Sequence, residues 1–343
     1  MSRQIYQPLH PAVRPLLDPQ YVAFHDAHMQ YVQPDDSKVW DGSARTKPSL
    51  PPGTLDVVPV GSTEDIDVPA LDGKTTFPMR VFRPSSSSPS ASSTSSSTAP
   101  PIFLWCHGGG WAIGSVASEN DFCTRVCEGA GVIVCSVGYR LAPEDRFPAA
   151  ADDAYAALAY ASSVEGGQRI GGDPARVAVG GTSAGATLSC VAALRQIEAL
   201  GNSTSPLRGS LYIVPVVDNT ATVETAWKPN AMTAPWLTPG RMLWYRRMYM
   251  PDESDWSHWH ASPNLAPREL LEKLPPVWVA VSEQDLLAPE GIAFAKQLQK
   301  LGVKTELQVL KGCTHSVLAL DGVMDKGTKL VEDAIEAVRT FFK

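Results

Sequence analysis

Short apolar strands alternating with longer helices predict an α/β protein: a mostly parallel central sheet, helices on both faces, and a helical lid. Three observations carry this expectation. From about residue 100 onward, β-branched and apolar runs alternate with Ala-rich or amphipathic stretches that close on Gly. Two Gly-rich turns, at 107–111 and 181–185, directly follow such runs. Two stretches, a polar one with scattered aromatics at 1–50 and one rich in Trp, Pro and Met at 219–265, break the alternation.

Taken in order, 76–83 (Thr-Phe-Pro-Met-Arg-Val-Phe-Arg) and 102–106 (Ile-Phe-Leu-Trp-Cys) read as strands. Between them, 84–101 is built of Ser, Pro, Thr and Ala, which bury little. It reads as a mobile, expanded loop between two strands of one sheet. Such an insertion is cheap, because loop-closure entropy grows only logarithmically with length. Two strands joined without a helix imply that the sheet opens with antiparallel strands. Residues 118–131 read as a helix ended by Gly129 and Gly131, and 132–137 as a β-branched strand. An Ala-rich helix over 149–163 starts from Pro148; 176–180 is a strand, and 184–200 a helix closed by Gly201. Strands follow at 210–217 and 277–282, a helix at 289–301 closed by Gly302, a strand at 304–310 and an amphipathic helix at 325–342. The sheet-bearing domain is then 51–218 with 266–343. Residues 1–50 and 219–265 form the two parts of a lid over the carboxyl ends of the strands.

Composition narrows the function. The chain has 343 residues, 44% of them hydrophobic, enough for a large core. Lys plus Arg number 29 against 36 Asp plus Glu, a net charge of −7 with no basic run, which argues against nucleic acid or an anionic membrane as partner. No apolar leader opens the sequence and no run is long enough to span a bilayer, so neither a signal nor a stable membrane anchor is expected. The six cysteines match no zinc spacing, Cys123 and Cys127 included, and are expected as buried free thiols in a cytoplasmic protein.

The chemistry is carried by three signals. Gly181-Thr182-Ser183-Ala184-Gly185 lies between a strand and a helix. That is the setting of a nucleophile elbow, in which a tight turn lifts the Ser hydroxyl above the sheet and a helix N-terminus faces it. His107-Gly108-Gly109-Gly110-Trp111 follows strand 102–106. Consecutive glycines there can turn backbone N–H groups toward a developing oxyanion. A serine nucleophile on such a sheet is followed in the chain by its acid and then its His. Downstream of Ser183 stand His258, His260 and His315; His315 lies just after strand 304–310, whereas the other two fall in the lid. The acid should end strand 277–282, where Glu283 and Asp285 both qualify and Asp285 is favoured.

Together these motifs resemble the hormone-sensitive-lipase-like group of α/β-hydrolases, the fold-3 carboxylesterases. HGGGW at 107–111, GTSAG at 181–185 (with Thr where many members have Asp), Asp285-Leu-Leu and Gly312-Cys-Thr-His315 resemble the family's motifs. So do Gly138-Tyr-Arg-Leu-Ala-Pro-Glu144 and Phe147-Pro-Ala-Ala150. The likeness runs from about residue 75 to the end; Ala186 departs from it, standing where many members carry a second Gly. The resemblance implies Ser183 as nucleophile, His315 as base and acid, Asp285 as its orienter, and N–H groups of Gly109, Gly110 and Ala184 as oxyanion donors. It implies hydrolysis of short- to medium-chain or aromatic carboxylic esters with neither cofactor nor metal, and pairing through the sheet edge as a homodimer. Trp111, Trp236 and Trp244 are taken as substrate-binding. The mean hydropathy of −0.09 gives no hint of the large apolar lid face that long triacylglycerols would need.

Three other readings share parts of this pattern. Relatives that have lost the catalytic His bind small hormones, but this chain keeps candidates for every triad role. A biosynthetic hydrolase or acyl transferase with a bulky substrate would account for five tryptophans within 219–265, which could equally pack the lid's own core. Amide hydrolysis, as in aryl formamidases with a similar HGG motif, is the third. Cys313, two residues before His315, is expected to pack, with sensitivity to thiol reagents as the sharper alternative.

Overall fold

The computed structural model describes residues 3–46, 57–85 and 99–343. Its eight-stranded sheet is formed by β1 (Ser62–Pro69), β2 (Thr76–Arg83), β3 (Pro101–Cys106), β4 (Ile133–Val137), β5 (Asp173–Thr182), β6 (Leu207–Ile213), β7 (Val277–Ser282) and β8 (Thr305–Leu310). The spatial order is β1-β2-β4-β3-β5-β6-β7-β8. The pairs β1–β2 and β2–β4 are antiparallel and the rest parallel, so the sheet does open with antiparallel strands. The helices are α1 (Pro19–Ala27), α2 (Asn120–Ala130), α3 (Ala149–Ala161), α4 (Val164–Ile170), α5 (Ala184–Leu200), α6 (Pro239–Tyr249), α7 (Arg268–Leu271), α8 (Ala288–Lys300) and α9 (Asp325–Phe341).

Three details differ from the sequence reading. β1 is an additional strand, whose acidic residues Glu64, Asp65 and Asp67 alternate with buried Ile66 and Val68. Acid-rich edge strands carry weak β-propensity, and the alternation is their only signal. β2 and β3 share the sheet but are not neighbours, because β4 lies between them. The strand expected to run to 217 ends at Ile213; Val214 takes φ 41° and turns the chain out of the sheet. Most of the Ser-rich stretch, 86–98, lies outside the described residues, as do 47–56.

Period-two alternation divides the core. Along β3, Ile102, Leu104 and Cys106 join the cluster formed with α3, α5 and α8, while Phe103 and Trp105 join the one formed with α2 and α9. The five buried strand residues of β4 and the six of β7 show that both faces are covered. All six cysteines are buried and free. Among the described residues, no helix is long and apolar enough to cross a membrane.

Residues of 3–46 and of the insertion after β6 meet over the carboxyl ends of the strands. Arg241 of α6 joins the two, donating to Asp36 at 3.0 Å and to Gln7 at 3.0 Å. Its ion pair is almost wholly buried on the Arg side. Deeper in the insertion, the guanidinium of fully buried Arg246 lies between the rings of Trp227 and Trp256, at 4.6 and 4.9 Å from their centroids.

Gly185 has no room for a side chain: an added Cβ would stand 2.0 Å from the Cys106 carbonyl oxygen. Gly240, near the start of α6, meets nothing closer than 3.9 Å. Gly185→Ala is therefore expected to cost about 3 kcal/mol or more in urea unfolding. Gly240→Ala, by contrast, should stabilise by up to about 1 kcal/mol.

Candidate active site

The site begins with the junction of β5 and α5. Ser183 holds φ 53° and ψ −121° there, a conformation that costs a non-glycine residue of order 1–3 kcal/mol. Gly181 and Gly185, two residues to either side, permit the turn by lacking side chains. A Cβ on Gly181 would come within 2.3 Å of the Gly185 backbone. The Ser183 N–H donates to the Ile213 carbonyl at 2.9 Å, tying the turn to the end of β6. As N-cap of a 17-residue helix, Ser183 also sits where the helix dipole favours negative charge.

His315 and Asp285 complete a hydrogen-bonded chain. The Ser183 hydroxyl lies 2.9 Å from His315 Nε2, and His315 Nδ1 lies 2.8 Å from Asp285 Oδ2. The Asp285 side chain is 1% exposed and accepts a further bond from Leu287 N–H at 3.2 Å. Both residues stand in loops at strand carboxyl ends, after β7 and β8. The rival acid, Glu283, points elsewhere. It binds Lys311 Nζ at 2.6 Å and Gly312 N–H at 3.0 Å, and the Lys311 bond holds its carboxyl below the usual range. Glu283 thus braces the His-bearing loop against the acid loop. Asn230 of the insertion does similar work, donating to the carbonyls of Asp285 at 2.6 Å and Glu283 at 3.1 Å.

The loop after β3 carries the glycines expected to supply oxyanion donors. Gly109, Gly110 and Trp111 all take positive φ, at 115°, 60° and 61°. A Cβ on Gly109 would meet the Ile113 carbonyl oxygen at 2.1 Å, and one on Gly110 the Tyr245 ring at 2.3 Å. Among the described residues, no hydrogen bond occupies the N–H groups of Gly109, Gly110 or Ala184. The 138–150 signature is the loop's support. Tyr139 Oη donates to the His107 carbonyl at 2.8 Å and its ring stacks on His107 with centroids 4.2 Å apart. Ala142 N–H donates to the Trp111 carbonyl at 2.9 Å. Burial pushes the His107 pKa down to about 4, so this histidine is neutral and structural.

Ser183, His315, Gly109 and Gly110 border one cavity of about 600 Å3. Phe24, Met29 and Val32 line it from the N-terminal segment; Trp236, Leu237, Met242 and Tyr245 line it from the insertion. Among the described residues, no cluster of three or more His, Cys, Asp or Glu is arranged to hold a metal.

The three tryptophans taken as substrate-binding separate. Trp236 lines the cavity, with φ 67° and Arg241 over its ring. Trp111 also borders the cavity, with its side chain fully buried and its ring stacked on Tyr249 at 5.1 Å. Trp244 is the correction. It packs on Trp40 at 5.7 Å and lines an outer groove with Gly240, Leu243, Arg247 and Met248, while Arg241, Met242 and Tyr245 of the same helix face the cavity. That split is the two sides of one helix, whose phase follows from packing rather than residue type. Trp227 and Trp256 pack around Arg246, so most of the tryptophan-rich segment builds its own core. Sequence reasoning missed Tyr139, Asn230 and Tyr245. The only signal for Tyr139 was its place in the 138–150 motif.

Comparison with known proteins agrees with this fold. A family model described as alpha/beta hydrolase fold matches residues 103–319. The chain is 37% identical to an AB hydrolase superfamily protein of Schizosaccharomyces pombe, over 98% of this chain and 97% of that one. It is 31% identical to an ethyl acetate hydrolase of Pseudomonas putida, over 79% of this chain and 81% of the relative. Among solved structures, a thermostable esterase from Pseudomonas putida superposes with a TM-score of 0.81 at 27% identity, covering 96% of this chain and 98% of that one.

Asp285→Asn should lower kcat on an activated ester by about 10³–10⁴-fold, because the amide nitrogen can donate to His315 Nδ1 and favour the wrong tautomer, and a neutral side chain no longer stabilises the imidazolium. Glu283→Gln should cost about tenfold or less, since only a loop brace is weakened; a larger loss than for Asp285→Asn would reverse the assignment. Burial also pushes the Cys313 thiol up to about 11, and Cys106 and Cys190 to about 12. Titration with a thiol reagent at pH 8 should therefore find fewer than one reactive group per native chain (roughly none). All six should react after unfolding in denaturant.

Proposed function

The chain belongs to the hormone-sensitive-lipase-like branch of the α/β-hydrolase family and is a carboxylic ester hydrolase, and we propose that its substrates are small esters with short- to medium-chain or aromatic acyl groups. One observation carries this reading. The hydrogen-bonded chain Ser183–His315–Asp285 opens into a cavity bordered by the Gly109–Gly110 loop. A cavity of about 600 Å3 suits a ligand of small-molecule size. The residues of both cap segments that close over it support exclusion of a triacylglycerol. The likeness to an ethyl acetate hydrolase supports a short acyl group.

The mechanism follows from the parts. Ser183 Oγ attacks the ester carbonyl while His315 Nε2 takes its proton. Asp285 accepts from Nδ1 and stabilises the imidazolium that results. The carbonyl oxygen becomes an oxyanion facing the N–H groups of Gly109, Gly110 and Ala184, a contribution of about 3 kcal/mol for a key donor. His315 then gives its proton to the leaving alcohol, and the Ser183 acyl-enzyme remains. Water, deprotonated by His315, attacks that ester and releases the acid. No step calls for a cofactor. The six free buried cysteines support a reducing, cytoplasmic setting.

Hydrolysis of p-nitrophenyl esters from acetate to dodecanoate tests the proposal. Activity should peak at short or medium chains, fall steeply toward dodecanoate and vanish in Ser183→Ala. A maximum at dodecanoate would refute the substrate size, and full activity in the Ser183 variant would refute the nucleophile.

A further inference from the structure

We propose that Glu119 is a positioning residue of the oxyanion loop, its carboxylate holding Gly108 so that the next peptide presents the Gly109 N–H to the substrate. The inference rests on the esterase reading above and adds a group outside the triad and its donors.

Glu119 occupies the N-cap of α2 but makes no side-chain cap there. A carboxylate at that position ordinarily accepts from the helix's own first N–H groups. This one instead reaches back eleven residues. Oε1 accepts from the Gly108 N–H at 3.1 Å and Oε2 from the Trp105 indole N–H. Its two acceptors thus take one donor from β3 and one from the start of the oxyanion loop. The helix forgoes its cap in favour of the loop.

Gly108 is held at its other end as well. Its carbonyl lies 2.7 Å from His107 Nδ1. A carbonyl only accepts, so Nδ1 carries the proton and donates. The peptide group joining Gly108 to Gly109 is planar and trans, so the direction of the Gly108 carbonyl fixes the opposite direction of the Gly109 N–H. Glu119, which also borders the cavity, and His107 together therefore set one oxyanion donor through the backbone. The space around Gly108 is also tight. A Cβ there would lie 3.1 Å from Thr182 Cγ2 of the nucleophile turn and 3.7 Å from Glu119 Oε1. Burial pushes the Glu119 carboxyl up to about 7 against the pull of these two donors, an energetic burden without a role in the triad itself.

The test compares wild type with Glu119→Gln, which keeps the shape but can offer an acceptor to only one of the two N–H groups. With p-nitrophenyl butyrate, kcat should fall by roughly tenfold or more while KM changes less than about twofold. The affinity for a trifluoromethyl ketone, which forms a tetrahedral adduct with the serine, should weaken by a similar factor. The affinity for the parent methyl ketone, bound without addition, should stay within about twofold. Circular dichroism establishes that the variant is folded. If it is not, Glu119→Asp, which withdraws the carboxylate by one methylene, serves for the same measurements. A folded variant whose kcat and trifluoromethyl ketone affinity match wild type overturns the inference, as does equal weakening of both ketones. The esterase reading fails on a different result: a folded wild type inactive on every ester, or activity surviving Ser183→Ala.

Discussion

The active site depends on backbone approaching backbone where β3 and β5 end side by side. These strands are parallel neighbours, with Cys106 paired to Gly181. Gly185 then packs against the carbonyls of Cys106 and His107, as a hypothetical Cβ 2.0 and 2.4 Å from them shows. One contact thus fixes the distance between the Ser183 turn and the Gly108–Gly110 loop. A side chain at Gly185 would push the two apart, one at Gly181 would force the Ser183 turn open, and either would cost the strained Ser183 the packing that holds it.

Around that contact, buried polar groups set directions and the apolar core sets positions. Tyr139 fixes the His107 carbonyl, Glu119 the Gly108 N–H, Glu283 the Gly312 N–H and Asn230 the carbonyls of the acid loop. Each partner is a backbone group of a loop that sheet pairing leaves unbonded, so each bond also answers a desolvation cost. The cap has its own buried polar centre. Glu290 accepts from Val217 N–H at 2.9 Å and Trp227 Nε1 at 2.8 Å, and burial pushes its carboxyl up to about 8. Arg246 lies over the ring of Trp227. This cluster anchors the insertion to α8, directly after the acid loop, so the segment that shapes the cavity and the segment that orients His315 share a foundation.

The cap shapes the site by phase as much as by composition. On α6 the residues at 241, 242 and 245 face the cavity and those at 240, 243, 244, 247 and 248 face outward. A tryptophan one position along this helix therefore changes from pocket wall to outer surface. The aromatic richness of the insertion is mostly internal packing, with Trp236 its contribution to the cavity wall.

The α/β alternation, the elbow at 181–185, the glycine loop at 107–111 and the loop positions of Asp285 and His315 were legible in the residues alone. These are local signals: glycines are required where the backbone takes positive φ or another chain comes close, and strand and helix periods repeat along the chain. β8, α5 and β7 were legible nearly to the residue, because each is bounded by Gly or by a polar turn. Long-range packing settled the rest. It set β4 between β2 and β3, sent Glu283 to Lys311 and Gly312 instead of His315, buried Trp111 and turned Trp244 outward. It also gave Glu119 to Gly108 rather than to its own helix. Each of these is a choice between partners far apart in the chain, where residue type allows either and packing admits one.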